Sequence, residues 1–121
     1  MNNLGKVKLL FDNEQNSETG IFNLNDSIES YKFINIIYSF GYKGKLLDAA
    51  KTCIFNVEFL KKHYGAGIFL DIVTINESKA IVVEFLKIIF IDKQHFNLIE
   101  NKANSGVTTS NNKIYQIYAW N

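Results

Sequence analysis

The sequence predicts an all-β protein, an antiparallel β-sandwich of seven to eight strands with jelly-roll-like wrapping and room for one short helix around residues 46–53. Three observations predict it. Apolar residues either alternate with polar ones or form short Ile-, Val- and Phe-rich runs, in segments of strand length. Between those segments lie clusters of Gly, Asn, Asp and Ser, which make the turns of a chain that has no Pro. Ten Phe and six Tyr supply large side chains suited to a pleated, half-buried surface. At 121 residues the length fits one domain, residues 1–121, which can bury roughly two-thirds of its unfolded surface.

Taken in order, Val7, Leu9 and Phe11 alternate with Lys8 and Leu10, the pattern of a half-buried strand that ends at the polar run 12–19. Residues 21–24 read as a short strand. Asn25, Asp26 and Ser27 carry side chains that hydrogen-bond to turn backbone, and residues 31–39 read as a longer strand. Along it Ile34, Ile36 and Tyr38 form a wholly apolar face, the expected core side. Phe33, Asn35, Ile37 and Ser39 form the other. Residues 41–45 then read as an exposed turn that carries Tyr42.

Residues 46–64 carry two periods at once. Leu47, Ala50, Ile54, Val57 and Lys61 stand at helical spacing, while Phe55, Val57 and Phe59 alternate with Asn56 and Glu58. The alanines favour helix over 48–53, and β-branched and aromatic residues favour strand over 54–60. Beyond them, 65–67 read as a turn, 68–75 as a strand, 76–79 as a hairpin loop and 80–91 as a long strand. A polar loop over 100–112 precedes a last strand that ends at Trp120.

Charge and composition exclude several function classes. Thirteen basic residues, all Lys, face 12 acidic ones for a net charge of +1. Nucleic-acid binding needs clustered positive charge and favours the bidentate fork of Arg, so no nucleic-acid partner is expected. Cys53 is the one cysteine, which leaves no intramolecular disulfide and no multi-thiolate metal site. Glu84, Lys87 and Asp92 interrupt the longest apolar runs, so no helix spans a membrane and no membrane insertion is expected. The first residues lack the apolar centre of a secretory signal, so action outside the producing cell would imply a route other than a cleaved signal, for example release on a particle.

Catalytic chemistry needs convergent polar groups, and the sequence marks none. His63 and His95 read as exposed or half-buried histidines, and no ligand spacing supports a two-histidine metal site completed by Asp71 or Asp92. Cys53, between Thr52 and Ile54, reads as a small buried apolar residue. Gly65 and Gly67 open a strand, whereas an anion-binding glycine loop opens a helix. The carboxylates are spread without a marked acid and nucleophile pair. No enzyme activity, metal or cofactor is therefore expected. Aromatic residues in loop settings are the binding candidates: Phe40, Tyr42 and Tyr64 beside glycine turns, and Trp120 near the chain end. Each ring either stacks on a sugar face or fills a protein pocket, or it simply covers an end of the core.

Leu10-Phe11, the run Gly-Ile-Phe-Asn-Leu-Asn-Asp-Ser at 20–27, Tyr-Lys-Phe-Ile-Asn-Ile-Ile-Tyr-Ser at 31–39 and Ile-Tyr-Gln-Ile-Tyr at 114–118 share an order of strands and turns. In that order the chain resembles the C-terminal β-sandwich modules of phage tail and baseplate proteins. The resemblance implies a non-catalytic structural or receptor-binding module on a virion tail, usually a homotrimer, that recognises a host surface glycan or protein. Trimeric display raises avidity without new contacts. Residues 46–64 depart from the pattern. It also suggests that the last strand, 113–120, pairs near 31–39 and closes the sandwich. A different class of function fits the same size: a small phage-encoded inhibitor or immunity protein that binds a bacterial enzyme in the host cytoplasm. A third reading is an α+β enzyme in which 46–64 is a helix over a curved sheet.

Overall fold

A computed structural model describes residues 6–13, 19–40, 50–75, 78–103 and 112–121. Eight strands run in the order β1 (Lys8–Asp12), β2 (Gly20–Asn23), β3 (Phe33–Phe40), β4 (Ala50–Asn56), β5 (Gly67–Ile75), β6 (Ile81–Asp92), β7 (His95–Ala103) and β8 (Asn112–Trp120). One turn of 3₁₀ helix, Ile28–Ser30, precedes β3, and a short α-helix, α1 (Val57–Lys61), follows β4. The strands form two four-stranded sheets, a first of order β1-β8-β3-β4 and a second of order β2-β7-β6-β5. Every pairing is antiparallel. The protein is an all-β sandwich, and β8 does pair with β3, from Phe33 opposite Trp120 to Phe40 opposite Asn112. The nesting of β1 with β8 and of β2 with β7 is that of a jelly roll. The strands in the middle of the chain instead pair in sequence, β3 with β4 and β5 with β6.

Strand alternation builds the core. Ile34, Ile36 and Tyr38 on β3 are buried, as are Leu86, Ile88 and Phe90 on β6, and all six belong to one apolar cluster. Phe96 on β7 joins the sheets, with its ring 5.0 Å from Phe11 on β1, 5.4 Å from Phe22 on β2 and 6.0 Å from Phe90. The strict alternation expected over 7–11 fails at β1. Leu10 is an extra residue between the pairs Leu9 with Tyr118 and Phe11 with Ile117, so Leu10 and Phe11 both turn inward. Such a bulge sets two successive residues against one and bends the strand beyond it.

The turn at Asn25, Asp26 and Ser27 works by side-chain mimicry of backbone. Asp26 Oδ1 accepts from the Ser27 amide at 2.8 Å, and Ser27 Oγ accepts from the Glu29 amide at 3.1 Å, capping the 3₁₀ turn. Residues 46–64 correct the expectation. Helix was expected at 48–53 and strand at 54–60, whereas strand occupies Ala50–Asn56 and helix follows at Val57–Lys61. Two causes outweigh local propensity. Seven residues of β4 pair with β3, from Ser39 opposite Ala50 to Phe33 opposite Asn56. Asn56 then starts the helix, its Oδ1 accepting from the Phe59 amide at 3.4 Å, and Val57 and Leu60 bury one helical face. Residues 46–49 lie outside the described residues.

Two further expectations change. Residues 100–103, expected in a loop, extend β7, because the twelve residues of β6 offer pairing partners as far as Glu84 opposite Ala103. Cys53, expected to be buried, is half-buried on the sandwich-edge strand β4. A tight hairpin at Lys93 and Gln94, unread in the sequence, joins β6 to β7, with Asp92 Oδ1 accepting from the Gln94 amide at 2.8 Å. Among the described residues no helix is long and apolar enough to cross a membrane.

Candidate functional site

The register of β3 between β8 and β4 fixes the outer face of the first sheet row by row. Trp120, Phe33 and Asn56 form one row, Tyr118, Asn35 and Ile54 the next, and Gln116, Ile37 and Thr52 the third. The face is half-buried to exposed, with Ile54 the most open of its apolar residues at 60%. Phe33 and Trp120 stack with centroids 5.8 Å apart and ring planes 28° from parallel. Such cross-strand aromatic pairs hold each other upright on a sheet surface and supply a broad apolar platform.

Polar groups border the platform. Tyr118 Oη donates to Gln116 Oε1 at 3.3 Å, and Gln116 Nε2 donates to Asp12 Oδ1 at 3.5 Å, which orients the amide and carboxylate across β8 and β1. Asn35 sits at the centre with a buried side-chain oxygen that has no hydrogen-bond partner among the described residues. An unsatisfied buried acceptor costs about 1–3 kcal/mol. A stacked aromatic pair beside planar amides and a carboxylate suits a ligand with apolar C–H faces and many hydroxyls.

Of the predicted binding residues, Trp120 and Tyr64 have described side chains, and they lie in different settings. Trp120 lies on this platform. Phe40 closes β3 at its other end, seven residues from Phe33 and about 24 Å away at strand rise. Its side chain and the whole of Tyr42 lie outside the described residues. Tyr64 packs against the apolar cluster and donates to Glu29 Oε2 at 2.8 Å. Burial, then this hydrogen bond, push its hydroxyl pKa well above the usual phenol value. That engagement makes it an end cap of the sandwich. Phe33, Asn35, Gln116 and Tyr118 carry the platform with Trp120, and their residue types alone did not single them out. The signal was available in combination: the outer-face alternation of 31–39 together with pairing to the last strand places Trp120 beside Phe33.

The remaining reactive side chains are tied into the fold. His95 Nδ1 lies 2.8 Å from Asp92 Oδ1, and His63 packs on Phe59 with centroids 4.5 Å apart. Asp71 pairs opposite Phe85, seven residues from Asp92 along β6 and about 24 Å from it. Asp71 and Asp92 therefore cannot share a site. Among the described residues no three His, Cys, Asp or Glu side chains group to hold a metal ion. Burial raises the Cys53 thiol pKa, against a lowering by Lys51, and keeps the sulfur protonated near neutrality.

A scan against protein-family models finds no match, and a search of curated proteins finds none either.

Proposed function

We propose that this protein is a non-catalytic binding module that recognises a host surface glycan on the outer face of its first sheet, at the Phe33 and Trp120 platform. The observation that carries the reading is that stacked pair, beside the Tyr118, Gln116 and Asp12 chain of hydrogen bonds. Aromatic faces take the C–H surface of a sugar ring, and oriented amides and carboxylates take its hydroxyls. Single sites of this shallow kind bind weakly, so display in several copies suits them. The resemblance of the sequence to phage tail and baseplate modules supports a place on a virion tail, with a homotrimer as the arrangement that resemblance implies.

Co-sedimentation with bacterial cell-wall preparations tests the proposal. Wild-type protein should pellet with wall material, and soluble wall polysaccharide should release it. Trp120→Ala and Asn35→Ala should each lower the bound fraction several-fold while leaving the far-ultraviolet circular dichroism of the sandwich unchanged. Failure to bind any wall preparation, with capture of one cytosolic enzyme instead, would favour the inhibitor reading.

A further inference from the structure

Two open sheets present four edge strands, β1 and β4 of the first and β2 and β5 of the second, and three of these edges are blunted. On β5 the carbonyl of Asp71, its middle residue, accepts from Tyr38 Oη at 2.8 Å and from Lys51 Nζ at 3.2 Å. On β1 the carbonyl of Leu10, again the middle residue, accepts from the Asn25 amide at 2.7 Å. β2 is blunted by its length of four residues. β4 is the exception.

The Val57 amide donates to the Lys32 carbonyl at 2.9 Å, so Lys32 and Val57 form a hydrogen-bonded pair at the end of the ladder between β3 and β4. Such pairs alternate along an antiparallel ladder. Phe55, Cys53 and Lys51 therefore direct their main-chain groups to β3, while those of Asn56, Ile54, Thr52 and Ala50 point away from it. Among the described residues nothing bonds the outward groups of Thr52 and Ile54, and both residues are exposed, Ile54 at 60%. A row of free N–H and C=O groups on an exposed edge takes one kind of occupant, another extended strand. We propose that this occupant is β4 of a second copy of the chain, paired antiparallel about a twofold axis at Cys53.

The strand is its own complement. Cys53 is the middle residue of Ala50–Asn56, so a twofold axis there pairs the whole strand with its counterpart. Thr52 meets Ile54 and Ala50 meets Asn56 as hydrogen-bonded pairs, with Lys51 opposite Phe55 and Cys53 opposite itself between them. The Asn56 carbonyl is committed to the first turn of α1, which leaves about six main-chain hydrogen bonds, within the roughly 10 ± 5 of a standard interface. Lys51 is the one charged residue of β4, and this register sets it beside an aromatic ring, not beside its own copy. Cys53 and Phe55 pack against the core on their inner side yet stay half-buried at the edge. A strand that covers them needs apolar residues at alternate inward positions, and β4 has them. The pairing joins the two first sheets into one, with both Phe33 and Trp120 platforms on the same face. It gives a twofold pair where the phage-module resemblance implies a threefold one, and it stands independently of what the platform binds.

Sedimentation equilibrium of the full chain, with amide exchange followed by nuclear magnetic resonance, tests it. At about 0.1 mM, a concentration that reveals even micromolar association, the wild type should have twice the 13.9 kDa chain mass. At that concentration the Thr52 and Ile54 amides should exchange at least about tenfold more slowly than exposed amides. Thr52→Pro and, separately, Ile54→Pro each remove an outward N–H and leave the ladder to β3 whole, so both should return the mass to one chain with the circular dichroism retained. Thr52→Ala keeps the amide and should stay dimeric. A wild-type monomer or trimer overturns the proposal, as does a dimer that survives both proline variants. Should the proline variants fail to fold, the wild-type exchange decides: Thr52 and Ile54 amides as fast as exposed ones in the dimer overturn it, and slow ones support it.

Discussion

The hydroxyl of Tyr38, on the central strand β3 of the first sheet, donates a 2.8 Å hydrogen bond to the main-chain carbonyl of Asp71 on the edge strand β5 of the second. One side chain thereby contributes an aromatic ring to the core and a donor that ties an outer strand of the opposite sheet. Lys51 Nζ, from β4, reaches the same carbonyl at 3.2 Å. The register of β3 and β4 sets Tyr38 opposite Lys51, so strand pairing in one sheet places both donors for the other.

Tyr38→Phe should lower the unfolding free energy by about 0.5–1.5 kcal/mol, the net worth of one neutral hydrogen bond, because the ring stays and no cavity opens. Chemical denaturation followed by circular dichroism checks it. In a Tyr38→Phe, Lys51→Met double variant the carbonyl loses both donors, and the combined loss should exceed the sum of the single ones.

Alkaline conditions should unfold the protein more steeply than surface tyrosines would allow. Burial first, then the neighbouring Cys53 and Asp71, push the Tyr38 hydroxyl up to about 12, and burial leads the upward shifts of Tyr31 and Tyr64 as well. Each group holds its proton in the folded state after the unfolded chain has released it. Their contribution is therefore fully present below pH 10 and is lost as pH rises from there through the folded values. Melting temperature against pH should stay flat near neutrality and fall from about pH 10 to 12, with a shallower fall in Tyr38→Phe.

The Asp92 carboxylate gives the opposite sign. Its hydrogen bond from the Gln94 amide, followed by that from His95, holds its pKa below the usual 3.8. Its contribution is present above the unfolded value and is lost as pH falls through the folded one. Asp92→Asn should flatten the acid limb of the stability profile, and hydrogen exchange at Gln94 should speed up in the variant at neutral pH.

Asn56→Ala should cost about 0.5–1 kcal/mol, the lower part of the range for an N-cap, because the capping contact to Phe59 is long at 3.4 Å. Faster amide exchange should appear at residues 58–61. The core strands should keep their protection.

These elements show what the sequence could and could not convey. The apolar face of Ile34, Ile36 and Tyr38 was legible because a half-buried strand has a period of two, and all three are buried. The pairing of β8 with β3 was legible as well. Residues 46–64 were not, because their two alanines and mixed periods carry a preference of only tenths of a kcal/mol per residue, which a seven-residue ladder to β3 overrides. The bulge at Leu10 was invisible because its cause, the register of β8, lies more than a hundred residues away. For the candidate site, the loop setting of the aromatics pointed to Trp120 but also to Tyr64, whose ring seals the core and whose hydroxyl is held by Glu29. Phe33, Asn35 and Tyr118 join Trp120 only through cross-strand register, a long-range property that a local pattern does not contain.

Trp120 is the chain's single tryptophan and one half of the platform, so its fluorescence reports on the proposed binding face alone. The most direct measurement is a titration of the wild-type protein with solubilised bacterial wall polysaccharide, followed by tryptophan emission alongside calorimetry. The proposal predicts a saturable change in emission with the same midpoint as the heat signal, and loss of both in Asn35→Ala. Calorimetric binding that leaves the Trp120 emission unchanged would contradict it.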